Sequence, residues 1–485
     1  MIKAENLSVG IGLTTILQDI NWTVNRGEHW IITGLNGAGK SILARSLVGK
    51  TRKIKGVLQF PFLGKQPDFE RKQRAISLVS FTDTSKLFRS ANIQHYYQQR
   101  YHAFDADGHL TVRSYLEKGN FDPNDPAHQK TIQLLRLEDL LDKERIKLSS
   151  GQTRKMLLAK ALIKCPELLI LDNPYIGLDI ESRQLLNDTL DELAAAGEVT
   201  LILAGQYDTL PTCISHRLHL EAGRCLSAGP IEKVSAEIKV SDTPVDHPSL
   251  EELKAFYQTK GAALKVKHVV HLDNVSVRYG ATTILDQVNW TVVPGEKWML
   301  RGENGAGKST LLSLIYGDNP QAYGLPVYLF DKKRGKGQSI WAIKKRIGFT
   351  SPELHAYYDE DHTAKYLVWS GLSDNFYVEK RVPDDYRAFV QALFRYFGIE
   401  KHYDQNFSEL STGVQRLVFF IRALVKAPPV LLLDEPFQGF DPPTIHACQK
   451  LLDELLDDRF TLIFISHFEH EVPTSVNQVY RLQKG

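Results

Sequence analysis

The stretch Gly34-Leu35-Asn36-Gly37-Ala38-Gly39-Lys40-Ser41 decides the fold. The chain carries it a second time as Gly302-Glu303-Asn304-Gly305-Ala306-Gly307-Lys308-Ser309, with Thr310 next. An apolar run leads into each copy (WIITG at 30–34, WMLRG at 298–302). A helix-like pattern leads out (SILARSLVG at 41–49, STLLSLIYG at 309–317), each ended by glycine. Strand, glycine loop and helix in that order form a phosphate cradle. The glycines let the backbone wrap around phosphate oxygens, and the amide N–H groups point at the anion. Lys40 and Lys308 would reach the β- and γ-phosphates of a nucleotide, and Ser41 and Ser309 would ligate Mg2+. A glycine turn before a helix would explain one copy. Two copies in matching context favour the phosphate reading.

Working outward, the whole neighbourhood is written twice. TTILQDINWTVNRGEHW (14–30) matches TTILDQVNWTVVPGEKW (282–298) without gaps, at about eleven of seventeen positions. Leu148-Ser149-Ser150-Gly151 returns as Leu410-Ser411-Thr412-Gly413, and LLILDNPYIGLD (168–179) as LLLDEPFQGFD (431–441). A period of roughly 265 residues is too long for a solenoid unit and marks two whole domains from a duplication. The expected division is a first domain over 1–235, a connector over 236–264 and a second domain over 265–485. The connector holds a turn-rich SDTPVDHPS (241–249) and a short capped helix, SLEELKAFYQTKG (249–261).

The short, fully apolar runs LLIL (168–171), VLLL (430–433), TLILAG (200–205) and TLIFIS (461–466) suit buried parallel strands. The fold class is therefore α/β in both halves. Asp172 and Asp434 end two of these runs, where a carboxylate can hold Mg2+ through water. The next residue differs. Glu435 can take a proton from an attacking water; the amide of Asn173 cannot. Ser149, Gly151 and Gln152, and Ser411 and Gly413, stand at helix starts about twenty residues before those strands. Alone they read as N-caps. In that position they can bind a second face of a nucleotide phosphate.

The 485 residues are 43% hydrophobic and 24% charged, an ordinary soluble balance of two to four domains. Lys and Arg number 59 against 57 Asp and Glu, a net +2, which excludes a nucleic-acid binder acting by bulk charge and leaves only a local basic patch. Cys165, Cys213, Cys225 and Cys448 are scattered without metal or disulfide spacing, so a reducing compartment fits. MIKAENLSVG lacks the pattern of a signal peptide, and no run of about 18 uncharged apolar residues is present. Work at a membrane would therefore require docking on a partner.

The order of phosphate loop (Walker A), LSxG signature, Walker B strand, D-loop and terminal histidine, present twice, resembles the ATP-binding-cassette (ABC) ATPases over nearly the whole chain. The tryptophans of NWTVNRGEHW and NWTVVPGEKW resemble the ModF-type molybdenum-transport branch. The resemblance implies two fused P-loop nucleotide-binding domains, each with a RecA-like α/β core, a small antiparallel β subdomain and a helical signature subdomain. It implies ATP and Mg2+ as cofactors and hydrolysis of ATP to ADP and phosphate. It also implies that the cassettes pair head to tail, here within one chain, so that a monomer suffices.

Carried over, one composite site takes Gly302 to Thr310, Asp434, Glu435 and His467, with Ser149, Gly151 and Gln152 from the other half. Tyr279 falls where an aromatic stacks on adenine. Asp179 and Asp441 match the D-loop aspartates. The other site takes Gly34 to Ser41 and Asp172, with Ser411 and Gly413. It departs from the pattern four times: Asn173 for the catalytic glutamate, Gln206 for the histidine, Ile11 where Tyr279 aligns, and Val414 for the signature glutamine. The expectation is one competent and one degenerate ATP site.

Both halves also lack the family's Q-loop glutamine, with Phe81 and Pro352 near its place. That counts against standard coupling to a permease. ANIQHYYQQRYHAFD (91–105) lies where partners dock in the family and reads as a structural or partner-facing surface. Three functions stay open. One is the energy-coupling ATPase of a molybdate-like oxyanion transporter, cytoplasmic or peripheral on the inner membrane and working with a separate permease. Another is a soluble ATP-driven factor on the ribosome, nucleic acid or another protein complex, which the short connector does not favour. The third is a nucleotide-dependent switch whose silent site acts as a clamp.

Overall fold

The structure is a computed structural model. It describes all of the chain except residues 13, 65–67, 82–110, 146–147, 149, 198, 206, 208, 234–247, 281, 359–360, 374 and 379–380. Ser149, Gln206, the 91–105 segment and most of the turn-rich connector lie outside the described residues. The chain divides into two compact units, one over Met1–Ser90 and Asp107–Ile238, the other over Lys239–Gly485.

In the first unit a six-stranded sheet runs in the order Ile76–Ser80, Leu168–Asp172, Thr200–Ala204, Trp30–Thr33, His216–Glu221, Arg224–Pro230. All neighbours are parallel except the last pair. The second unit repeats the order Ile347–Thr350, Val430–Asp434, Thr461–Ile465, Lys297–Arg301, Gln478–Arg481, parallel throughout. The central strands are buried at every residue. Sheets covered on both faces demand such continuous apolar runs. Each unit adds an antiparallel sheet built on Ile2–Ile11 with Thr14–Val24, or Val270–Tyr279 with Thr282–Val292.

The repeated tryptophans join these layers. Trp22 meets Trp30 edge to face at 5.5 Å, and Trp290 meets Trp298 at 5.7 Å. The indole N–H of Trp30 donates to Glu28, and that of Trp298 to Glu296, whose carboxylates also cap the intervening turn. The residues behind the branch resemblance thus pack the β subdomain onto the core sheet.

The helix of the connector is Pro248–Lys260. It belongs to the core of the second unit: Leu253 is fully buried, Phe256 stacks on Phe389 at 4.0 Å, and the Tyr257 hydroxyl donates to the Leu424 carbonyl at 2.9 Å. Periodicity located the helix, but packing decides which unit owns it.

Candidate functional site

The phosphate loops leave the C-terminal ends of Trp30–Thr33 and Lys297–Arg301, the fourth strand of each parallel sheet. Helices Lys40–Leu47 and Lys308–Tyr316 follow. Gly39 (φ 101) and Gly307 (φ 94) are left-handed, and a Cβ there would lie 2.4 Å from Leu17 and 2.6 Å from Leu285. Only glycine allows both the turn and this approach to the β subdomain. Lys40 Nζ donates to the carbonyls of Gly34 (2.6 Å) and Leu35 (2.9 Å), and Lys308 Nζ to those of Gly302 (2.7 Å) and Glu303 (3.0 Å). Both ammonium groups sit within their own loops.

In the first unit Ser41 Oγ donates to Asp172 Oδ1 at 2.8 Å, across adjacent layers. Asp172 is 1% exposed, and its Oδ2 makes no hydrogen bond. Burial pushes its pKa up, against the Ser41 hydrogen bond and the charges of Arg45 and Lys40. A buried carboxylate oxygen without a partner, beside a serine hydroxyl, is a hard-oxygen pair that fits Mg2+. Ser309 and Asp434 repeat the residue types, with Asp434 buried. No cluster of three His, Cys, Asp or Glu that could hold a metal occurs among the described residues.

The strand ends diverge after the aspartates. Glu435 and Asn173 are both left-handed, at φ 44 and φ 55. Asparagine tolerates that region, whereas other non-glycine residues pay roughly 1–2 kcal/mol. His467 Nε2 lies 2.9 Å from Glu435 Oε1, and Gln438 donates to Oε2 at 2.5 Å. Burial pushes the Glu435 carboxyl up, but the hydrogen bond and charge of His467, the charge of Lys308 and the Gln438 hydrogen bond hold it below its usual value. Asn173 donates only weakly, to Asp172 Oδ1 at 3.4 Å.

Sequence reasoning missed Gln438, the buried Arg154 and the half-buried Arg416. Arg154 donates to the Pro174 carbonyl at 2.6 Å, and Arg416 donates to that of Gln438. Each arginine thus fastens the signature helix of its own unit (Ser150–Leu162, Thr412–Leu424) to the loop after the Walker B strand. Burial lowers Arg416 to about 10, and Glu435 opposes the shift. An arginine one turn into an apolar helix was the available signal.

Other expected residues have local roles. Ser411 caps its helix, accepting from Val414 N, and Gln152 accepts from Lys143 Nζ at 3.4 Å. Gly151 and Gly413 lie in the first turn of their helices. Asp179 and Asp441 cap Ile180–Ala195 and Pro442–Leu455, accepting from Ser182 N (2.7 Å) and Thr444 N (3.0 Å). Tyr279 ends its strand and accepts from Asn319 Nδ2 at 3.1 Å. Ile11 ends the matching strand and is 55% exposed. Phe81 is buried under Arg154, and Pro352 opens the helix Pro352–Tyr357.

A glycine loop on a central parallel strand, with the next strand but one in the sheet ending in a buried aspartate, defines a P-loop nucleotide-binding fold, and this chain contains two. The ABC transporter family matches residues 17–176 and 285–438. The chain is 34% identical to the ABC transporter ATP-binding protein ModF of Escherichia coli over 96% of this chain and 93% of that protein. It is 31% identical to an uncharacterized ABC transporter ATP-binding protein of Schizosaccharomyces pombe, over 97% and 95%. The archaeal ribosome recycling factor aABCE1, solved with the ribosomal stalk protein aP1, shares the fold with a TM-score of 0.53, at 18% identity, over 98% of this chain and 87% of that one. The chain belongs to the ABC transporter ATP-binding family. It is a tandem ATP-binding protein and an ATPase. Among the described residues no helix is long and apolar enough to cross a membrane.

Proposed function

We propose that this chain hydrolyses ATP with the Walker residues of its second half and holds ATP with those of its first. The observation that carries this reading is the Glu435–His467 pair at 2.9 Å, against Asn173 in the first half. Lys308 and the amides of Gly302 to Thr310 bind the phosphates, and Tyr279 meets adenine. Glu435 takes the proton of the attacking water as its oxygen bonds the γ-phosphorus and the bond to the leaving ADP oxygen breaks. His467 holds Glu435 through Nε2 and, by the family resemblance, stands at the γ-phosphate. Ser309 and Asp434, or Ser41 and Asp172, would hold Mg2+, which would supply charge neutralisation. The signature residues Ser149, Gly151 and Gln152 serve the competent site, and Ser411 and Gly413 the silent one, by the pairing the family implies. Asp179 and Asp441 act as D-loop residues in the same pairing.

We propose energy coupling of transport as the pathway, from the resemblance to ModF, with a separate permease at the cytoplasmic face of a membrane. The alternative is a soluble factor on a ribosome, nucleic acid or protein complex. One observation favours it: buried Phe81 and the helix-opening Pro352 stand where a Q-loop glutamine would reach a permease. The test is to tag Glu435→Gln, extract in mild detergent with Mg-ATP, and identify what co-purifies. A polytopic membrane protein, lost without ATP, supports transport. Ribosomes, nucleic acid or a soluble enzyme retire it.

A further inference from the structure

His467 stands on a turn that leaves the strand Thr461–Ile465, and this turn is gripped from three sides. The Ser466 hydroxyl donates to the Glu471 carboxylate, with both residues under 9% exposed, and accepts from Phe468 N at 3.0 Å. Gln449, on helix Pro442–Leu455, donates to the carbonyls of His470 (2.8 Å) and Val472 (3.2 Å). Arg301, at the end of the strand that feeds the phosphate loop, pairs with Glu469 at 2.8 Å.

The first half is a natural control. The far end of the turn is anchored identically in both halves: Asp453 accepts from Thr474 N and Ser475 N, and Asp191 from Thr212 N and Cys213 N. Among the described residues the near end differs. The matching strand orders make Gly205 the counterpart of Ser466 and Thr33 that of Arg301, and the helix offset makes Asn187 that of Gln449. Asn187 is turned to another task, accepting from the Tyr175 hydroxyl. Tyr207 fills the space instead. Its hydroxyl donates to the Ala204 carbonyl, which also accepts from Asn173 N, and a Cβ at Gly205 would lie 1.8 Å from its oxygen. The far-end anchor is kept in both halves, while the described grip on the near end accompanies the histidine.

We propose that Ser466, Glu471 and Gln449 are positioning residues that hold His467 against Glu435, and that they set the rate of the hydrolytic step without contributing to ATP binding. This rests on the reading that the second half hydrolyses. A dangling imidazole about 1 Å out of place would cost up to roughly 100-fold in rate.

The experiment measures steady-state kcat, the Kd for a non-hydrolysable ATP analogue, and Tm for Ser466→Ala, Glu471→Ala and Ser466→Thr. Each is also built into a His467→Ala chain. The expected result for the two alanine variants is a loss in kcat of about 10- to 100-fold, with Kd within about twofold of the parent. Ser466→Thr, which keeps the hydroxyl, retains turnover. In the His467→Ala chain the same changes cost less than about twofold more, because they act through the missing ring. Undiminished losses in that background overturn the proposal, as do unchanged kcat or a parallel fall in kcat, ATP affinity and Tm. The separate variant Glu435→Gln tests the underlying reading. If it hydrolyses at the parent rate, that reading fails whatever the clamp variants do.

Discussion

His467 Nε2 and Glu435 Oε1 lie 2.9 Å apart, joining the exits of two adjacent parallel strands. The contact holds the carboxylate in one orientation. In the first half the glutamate's place is taken by an amide. Glu435→Gln should therefore lower ATP turnover on the order of 10²–10⁴-fold, while Asn173→Ala leaves it within about twofold. Phosphate release under saturating Mg-ATP checks this, and equal losses from the two variants would contradict it.

Asn173 also has a backbone reason to be asparagine, since its φ is 55. Asn173→Ala should cost about 1 kcal/mol of stability in the first unit, and Asn173→Gly should cost little. Urea unfolding of the three proteins decides it. Equal stability of the alanine and parent chains would mean that the loop relaxes out of the left-handed region.

Gly205 and Tyr207 should be energetically coupled. Gly205→Ala puts a methyl group where the tyrosine oxygen sits, at a cost of about 1–3 kcal/mol. In a Tyr207→Ala chain the same change should cost less, with a coupling of about 0.5–3 kcal/mol. A double-mutant cycle on unfolding free energy reads this directly, and additivity would remove the packing account.

His29 should make the first unit acid-sensitive. Its Nδ1 accepts from Leu201 N at 3.0 Å, so the neutral ring is the folded form, and burial lowers its pKa against the opposing charge of Asp191. The unfolded chain then binds the proton more tightly. The contribution is present in full above the ordinary histidine pKa of about 6.5 and is lost as pH falls below it, by up to about 1.4 kcal/mol per pH unit. His29→Gln should flatten that part of the stability profile. An unchanged slope between pH 7 and 5 would assign the acid sensitivity elsewhere.

Much of the fold was legible because duplication prints each signal twice. The glycine loops, the apolar strands and the aspartates at their ends are local patterns, and they fall where strand-loop-helix geometry puts them. Pro248–Lys260 was legible as a helix but not as part of a core, because Phe389 and Leu424 lie more than a hundred residues away. The caps formed by Ser411, Asp179 and Asp441 follow ordinary helix-start chemistry. The grip of Gln449 and Arg301 on the His467 turn was hidden for a plainer reason. It joins residues with no motif of their own, and only strand register shows that Thr33 and Gly205 stand at the matching places among the described residues of the first half.

In the proposed division of labour one half turns over while the other retains its nucleotide. The most direct measurement loads the chain with radiolabelled ATP and Mg2+, removes free nucleotide, quenches after a single turnover and counts what remains bound or released per chain. The expected result is one ADP formed and one ATP intact for each chain, with Glu435→Gln leaving both as ATP. Two ADP per chain, or residual hydrolysis in Glu435→Gln that disappears with Lys40→Ala, would contradict it.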